Sequence, residues 1–108
     1  MVLTKAFKET VKDRITHDGS FRRALLSEAV QMLIEGDMSS GKSILRDYIN
    51  ATVGFEDLAM ATQRPAKSLM RMFGTDGNPT ASNLFAVIGV LQERTGVHLE
   101  VRASKQAA

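Results

Sequence analysis

FEDLAMATQRPAKSLMRMF, residues 55–73, has the spacing of two short helices joined by a tight corner. In its first half, Leu58, Ala59 and Thr62 recur at helical spacing, and Ala59 is small enough for another helix to cross closely. Pro65 suits the first turn of a second helix, because its missing amide hydrogen costs nothing there and its φ is already helical. The stretch therefore predicts a pair of helices around which the chain folds.

The second helix of the pair has two different faces. Apolar residues recur at i, i+3 and i+4, which predicts an inward face of Leu69, Met72 and Phe73. The outward face is small or basic, Arg64 precedes it, and no acid occurs between Asp57 and Asp76. Small residues permit entry into the major groove of DNA, and Lys or Arg reach phosphates and guanine edges. We therefore predict that this face contacts DNA, with Lys67 and Arg71 as the leading candidates. The full set of predicted contact residues is Arg64, Ala66, Lys67, Met70 and Arg71. The alternative is an ordinary charged face that is only solvated.

A wider pattern combines residues of this stretch with residues after it: Leu58, Ala59, Thr62, Ser68 and Leu69, followed by Gly77-Asn78-Pro79-Thr80 and Leu84. With them, the chain from about Ser40 to Arg102 resembles the Cro/repressor-type (Xre-like) helix-turn-helix domain. More narrowly, it is similar to the HigA-like antidote proteins of bacterial toxin–antitoxin modules. The chain departs from that family at the corner, where Gln63 replaces the usual glycine, Arg64 an apolar residue and Pro65 the usual capping serine.

The resemblance implies a prokaryotic transcription regulator. Proteins of this fold class bind double-stranded DNA as homodimers on palindromic operators, with recognition helices about one DNA turn apart. The likeness to antidote proteins further implies an antitoxin that blocks a small ribonuclease toxin and represses its own operon. An interaction module that keeps the fold without using DNA is the alternative.

The N-terminal part of the chain, residues 1–36, predicts a helical hairpin. Its first helix follows a Thr4 cap and runs to about Ile15, and its second follows a Ser20 cap over about residues 21–35. The second helix is apolar on more than one face and must pack on two sides. We expect the hairpin to pack on the rest of the domain or to supply an interface with another chain.

Two longer helices flank the corner in the helix-turn-helix core. A helix capped by Ser39 or Ser40 precedes the corner and runs to about Val53, and a helix capped by Thr80 follows over about residues 81–94. Together with the hairpin they predict one all-α domain over the whole chain, 1–108.

The second part of the domain, residues 37–102, ends in VHLEVR, residues 97–102, where apolar and polar side chains alternate strictly. That is the period of a half-buried β-strand. Because one strand cannot satisfy its own edges, we expect this short C-terminal strand to pair with the same segment of a second protomer in a homodimer.

A competing motif is GDMSSGKS, residues 36–43, which matches the phosphate-binding P-loop pattern. A working P-loop leaves a buried β-strand and enters a helix, in a parallel sheet that also delivers an acid toward the metal. The preceding ALLSEAVQMLIE has a helical period, and no apolar strand ending in Asp follows. Nucleotide binding is therefore the less favoured alternative to a corner between two helices in which Lys42 is exposed.

Composition excludes several other classes of function. Apolar residues at 44% and charged residues at 24% are globular values, and the net charge of +2 permits nucleic-acid binding without requiring it. The chain has no cysteine, its only histidines, His17 and His98, lie far apart, and no serine has a nucleophile elbow. We expect no metal, no cofactor and no enzymatic activity.

Location is predicted from what the chain lacks. Its longest apolar run, residues 84–91, is far shorter than the roughly 20 residues that span a bilayer. The charged N-terminus has no continuous apolar segment of a secretory signal, and the absence of cysteine suits a reducing compartment. We expect a cytoplasmic protein.

Overall fold

Six α-helices make up the fold in a computed structural model, which describes residues 5–106 and the side chains of residues 10–106. They are α1 (Lys5–His17), α2 (Gly19–Ile34), α3 (Met38–Ala51), α4 (Phe55–Thr62), α5 (Ala66–Met72) and α6 (Ala81–Thr95). The all-α prediction is confirmed, and the predicted cap Thr4 lies outside the described residues. None of the described helices combines the length and apolarity that crossing a bilayer requires.

Aspartates, rather than serines, cap α2 and α3. Asp18 Oδ1 accepts a hydrogen bond from the amide of Phe21, and Asp37 Oδ1 accepts one from the amide of Ser40, both at 3.1 Å. The amide of Phe21 holds the pKa of Asp18 below its usual 3.8. A carboxylate both satisfies a free amide and complements the positive end of the helix dipole. Both helices thus begin earlier than expected, and the predicted caps are wrong: Ser20, Ser39 and Ser40.

The hairpin of α1 and α2 packs on α3. Packing on the rest of the domain is one of the two roles expected for it. The approach of α2 to α3 depends on Gly41, where a Cβ atom would lie 2.5 Å from Leu33 Cδ2. The end of α1 is tied to its neighbours by hydrogen bonds: Thr16 Oγ1 donates to the carbonyl of Ala51, and Arg22 Nη1 donates to the carbonyl of Ile15. The hairpin is therefore an integral part of the domain.

Tyr48 lies at the centre of the core and is fully buried. Its hydroxyl is 2.7 Å from Thr95 Oγ1, which joins α3 to α6, and burial raises its pKa above the usual 10.0. The residues that complete the core come from all six helices, from the position directly after α5 and from the segment after α6. They are Ile15, Leu26, Ala29, Leu45, Ile49, Ala51, Phe55, Leu58, Leu69, Phe73, Leu84, Val87, Ile88, Leu91 and Val97.

The C-terminal segment is not a β-strand, so the predicted strand at residues 97–102 is absent from the described single chain. Val97 is buried, Leu99 is half-buried, and Val101 is 90% exposed. The amide of Leu99 donates to Gln92 Oε1 at 2.8 Å. A strand needs a neighbouring strand to complete its hydrogen-bond ladder, and residues 5–106 contain no strand that could lie beside residues 97–102. Burial within the single chain therefore follows the alternation at Val97 and Leu99 but not at Val101.

Replacing Tyr48 with Phe removes the hydroxyl that joins α3 to α6. Thr95 Oγ1 still donates to the carbonyl of Leu91, so no donor loses its only partner. We expect the free energy of unfolding to fall by about 1 kcal/mol at neutral pH, measured by urea denaturation. A loss of several kcal/mol would contradict this arrangement.

Alkaline pH provides an independent test at the same residue. Because burial raises the pKa of Tyr48, the folded state holds the phenolic proton more tightly than the unfolded state does. This contribution to stability is fully present below about pH 10 and is lost as the pH rises through the raised pKa. The chain has one tyrosine and no tryptophan, so tyrosinate absorbance reports this group directly. A titration midpoint at or below that of free tyrosine would contradict the burial, and Tyr48→Phe should lack the alkaline loss of stability.

Candidate nucleic-acid interface

The corner between α4 and α5 is built on a residue in the left-handed conformation. Gln63 has φ 55° and ψ 42°, and it is the only non-glycine residue with positive φ among those described. Its amide and that of Arg64 both donate to the carbonyl of Ala59, and Thr62 Oγ1 donates to the carbonyl of Leu58. Gln63 thus adopts the backbone conformation that glycine favours at such a corner.

Pro65 lies one position before α5 rather than in its first turn. With φ −62° and ψ 136° it is extended, and its carbonyl accepts the first helical hydrogen bond, from the amide of Leu69. Leu69 and Phe73 are buried and Met72 is half-buried, which confirms the predicted inward face. The ring of Phe73 lies 6.4 Å from that of Phe55 on α4. The inward face therefore fixes α5 against α4.

The outward face of α5 has two exposed cations, Lys67 and Arg71, one helical turn apart. Neither forms an ion pair with a described residue. The ion pairs among the described residues are both in the hairpin, Arg14–Asp18 and His17–Asp13. Beside these cations, Met70 is 47% exposed and Ala66 is half-buried. The four predicted contact residues of α5 thus belong to one uncompensated basic face.

Arg64 is placed differently from the other predicted contact residues. It is half-buried, its Nε donates to Asn83 Oδ1, and its Nη1 donates to the carbonyl of Thr62 at 2.9 Å. The side chain therefore bridges the corner and the first turn of α6, instead of joining Lys67 and Arg71 in one group. Its contact with DNA remains a prediction.

The start of α6 is capped as expected. Thr80 Oγ1 accepts a hydrogen bond from the amide of Asn83 at 3.2 Å, and α6 begins at Ala81. Because Arg64 binds the side chain of Asn83, a guanidinium group lies beside this helix N-terminus. Helix N-termini attract anions through their free amides and their dipole.

Sequence reasoning missed the position of Lys42. The prediction that it is exposed is wrong: the residue is only 6% exposed, and its Nζ lies 2.9 Å from the carbonyl oxygen of Gly74, 3.5 Å from that of Thr75 and 2.6 Å from that of Gly77. A signal for this burial exists in the sequence. Lys42 precedes the buried Leu45 by three residues, so it lies on the inward side of α3.

The P-loop pattern at residues 36–43 does not have the P-loop conformation. Residues 38–43 belong to α3, and the element before them is a helix, not a strand. The lysine of the pattern binds backbone carbonyls within the protein. In the described residues, no group of three or more His, Cys, Asp or Glu side chains could hold a metal ion.

Comparisons with protein-family models, with curated proteins and with solved structures found no match to this chain.

Replacing Gln63 with Gly should stabilise the protein. A side chain in the left-handed region costs roughly 1–2 kcal/mol, and glycine removes this cost. The added freedom of glycine in the unfolded state offsets roughly half of the resulting gain in stability. We expect the free energy of unfolding to rise by about 0.5–1 kcal/mol in urea denaturation.

The matched control is Gln31→Gly, the same substitution at an exposed position within α2. There glycine should lower the stability by about 1 kcal/mol. If both variants are destabilised equally, the corner does not hold Gln63 in the left-handed conformation.

Proposed function

We propose that this chain is a sequence-specific DNA-binding transcriptional regulator with α5 as its recognition helix. The observation that carries the proposal is the outward face of α5, where Lys67 and Arg71 are exposed and have no ionic partner among the described residues. A helix of seven residues is about 10 Å long, which is compatible with the roughly 12 Å width of the major groove.

Each residue of the interface has a role that follows from its chemistry. Lys67 and Arg71 supply positive charge for phosphates or guanine edges, and the small side chain of Ala66 lets the helix approach. Met70 supplies an apolar contact for a thymine methyl group. Arg64, beside the N-terminus of α6, suits a backbone phosphate.

We further propose that two copies of the chain form a symmetric homodimer through α6 and residues 97–102. Phe85 is 67% exposed on α6 and lies two helical turns before Gln92, whose side chain holds Leu99. We assign the exposed side chains of Phe85 and Val101 to this interface. Pairing of residues 97–102 with the same segment of a second copy would complete the ladder that one chain lacks.

This dimer would bring two recognition helices to a palindromic operator. The resemblance to HigA-like antidote proteins supports a narrower proposal: a cytoplasmic antitoxin that binds a small ribonuclease toxin and represses its own operon. The hairpin of α1 and α2, which is additional to the helix-turn-helix core, is the surface we assign to the toxin.

DNA binding is tested by fluorescence anisotropy with DNA from upstream of the protein's own gene and a scrambled duplex, at two salt concentrations. We expect a preference of at least about a hundredfold for the native sequence. The double variant Lys67→Ala/Arg71→Ala should lose this preference, and its plot of log K against log salt should be shallower by about 1–2 units.

The control for net charge is Lys12→Ala/Arg23→Ala, which removes two exposed cations from the hairpin. It should keep the operator preference. Weak binding that is equal for both duplexes and unchanged by the α5 substitutions would refute the regulator proposal and favour an interaction module that does not use DNA.

The dimer is tested by sedimentation at micromolar concentration. We expect the wild-type protein to sediment as a dimer and Phe85→Glu to weaken association at least about tenfold, because a charge would be buried at the apolar surface. Ile34→Glu is the matched control, since Ile34 is 64% exposed at the end of α2. A wild-type monomer would refute the dimer, and dissociation by Ile34→Glu alone would move the interface to the hairpin.

A further inference from the structure

We infer that Lys42 is the positioning residue of the recognition helix: from the buried side of the domain, it holds the C-terminal end of α5 in the orientation that DNA reading requires. The inference rests on the proposed function, because it treats α5 as the helix that contacts DNA. Lys42 itself lies on the inward side of α3 and is 6% exposed.

The ammonium group of Lys42 is satisfied by one short loop. A lysine ammonium has three hydrogen-bond donors. Three carbonyl oxygens are within reach, those of Gly74, Thr75 and Gly77, at 2.9, 3.5 and 2.6 Å from Nζ. All three belong to the loop that follows α5 directly. Lys42 therefore joins α3 to this loop.

The loop is in turn packed on the end of α5. The amide of Gly74 donates to the carbonyl of Arg71 at 3.1 Å, and the amide of Gly77 donates to the carbonyl of Gly74. A Cβ atom at Gly77 would lie 2.2 Å from the carbonyl oxygen of Arg71 and 2.3 Å from that of Met72. Only glycine fits there. The backbone of Arg71, a leading DNA-contact candidate, is thus held by the loop that Lys42 organises.

The electrostatics of the helix end favour this arrangement. The last carbonyls of a helix have no partner within the helix and carry partial negative charge, which a nearby cation stabilises. A helix as short as α5, Ala66–Met72, is unstable by itself and depends on such external contacts. The buried side chains of Leu69 and Phe73 fix its inward face, and Lys42 binds carbonyls of the loop that follows its last turn.

A residue with this role has a distinctive effect on DNA binding. Sequence recognition requires side chains in a fixed orientation, whereas non-specific binding requires only their charge. Loss of Lys42 should therefore reduce affinity for the operator much more than affinity for scrambled DNA. The salt dependence should stay unchanged, because Lys42 contacts no phosphate.

The test is Lys42→Met beside Lys12→Met, the same substitution at an exposed lysine of α1. Both are compared with wild type by anisotropy on the operator and the scrambled duplex, at a temperature where circular dichroism finds each protein folded. We expect Lys42→Met to bind the operator at least about tenfold more weakly, with less than about a twofold change on scrambled DNA and an unchanged salt slope. Lys12→Met should match the wild type.

Two outcomes overturn the inference. If folded Lys42→Met binds the operator as Lys12→Met does, Lys42 supports stability alone. If it weakens both duplexes equally and lowers the salt slope by about 1, Lys42 contacts a phosphate directly.

A second variant keeps the inference testable if Lys42→Met does not fold. Gly77→Ala disturbs the same loop through the Arg71 and Met72 carbonyls while keeping the charge of Lys42. It should also lose operator preference at an unchanged salt slope. The control Gly19→Ala places a Cβ in ordinary contact, 3.6 Å from its nearest neighbours, and should keep the preference. If Gly77→Ala prefers the operator over scrambled DNA as strongly as Gly19→Ala does, the inference is overturned.

Hydrogen exchange separates this inference from the proposed function. If the wild-type protein has no operator preference, the regulator proposal fails, and the structural claim is tested without DNA. Lys42→Met should then lose amide protection chiefly over residues 66–77. Uniform loss over the whole domain, or unchanged protection over residues 66–77, overturns the claim that Lys42 holds α5.

Discussion

The burial of the Lys42 ammonium is the interaction on which the arrangement of α3, α5 and the following loop depends. Removing a charge from water is costly unless polar groups replace its hydration, and here three backbone carbonyls do so. Those carbonyls converge only when the loop folds back on α5, where Gly77 has no room for a side chain. The position of the lysine, the shape of the loop and the end of α5 therefore depend on one another.

The start of α5 is held by a different set of contacts. The left-handed Gln63 turns the chain, and Arg64 connects the corner to Asn83 on α6. With both ends and the inward face fixed, the outward face of α5 needs no contact within the domain. Exposed cations there cost the fold little, since solvent screens them. Lys67 and Arg71 are thus exposed, and neither has an ionic partner among the described residues.

The elements that depend on local spacing could be predicted from the sequence, and those that depend on distant partners could not. Apolar periodicity located the helices, and Thr80 caps α6 as expected. The side chain of Arg64 binds Asn83, 19 residues later, and the ammonium group of Lys42 binds carbonyls more than 30 residues later, so spacing within one helix identifies neither partner. Residues 97–102 have the period of a strand, but strand pairing requires a second segment, which periodicity within one stretch cannot supply.

The pattern GDMSSGKS illustrates why a motif has meaning only in its structural context. Gly36, with φ 90°, follows α2, Asp37 caps α3, and Gly41 permits the close approach of the two helices. In a P-loop the same letters follow a strand, and the lysine faces a bound phosphate. Here they follow a helix, and the second turn of α3 directs Lys42 inward. The preceding element therefore decides whether this lysine binds the phosphates of a ligand or the carbonyls of its own chain.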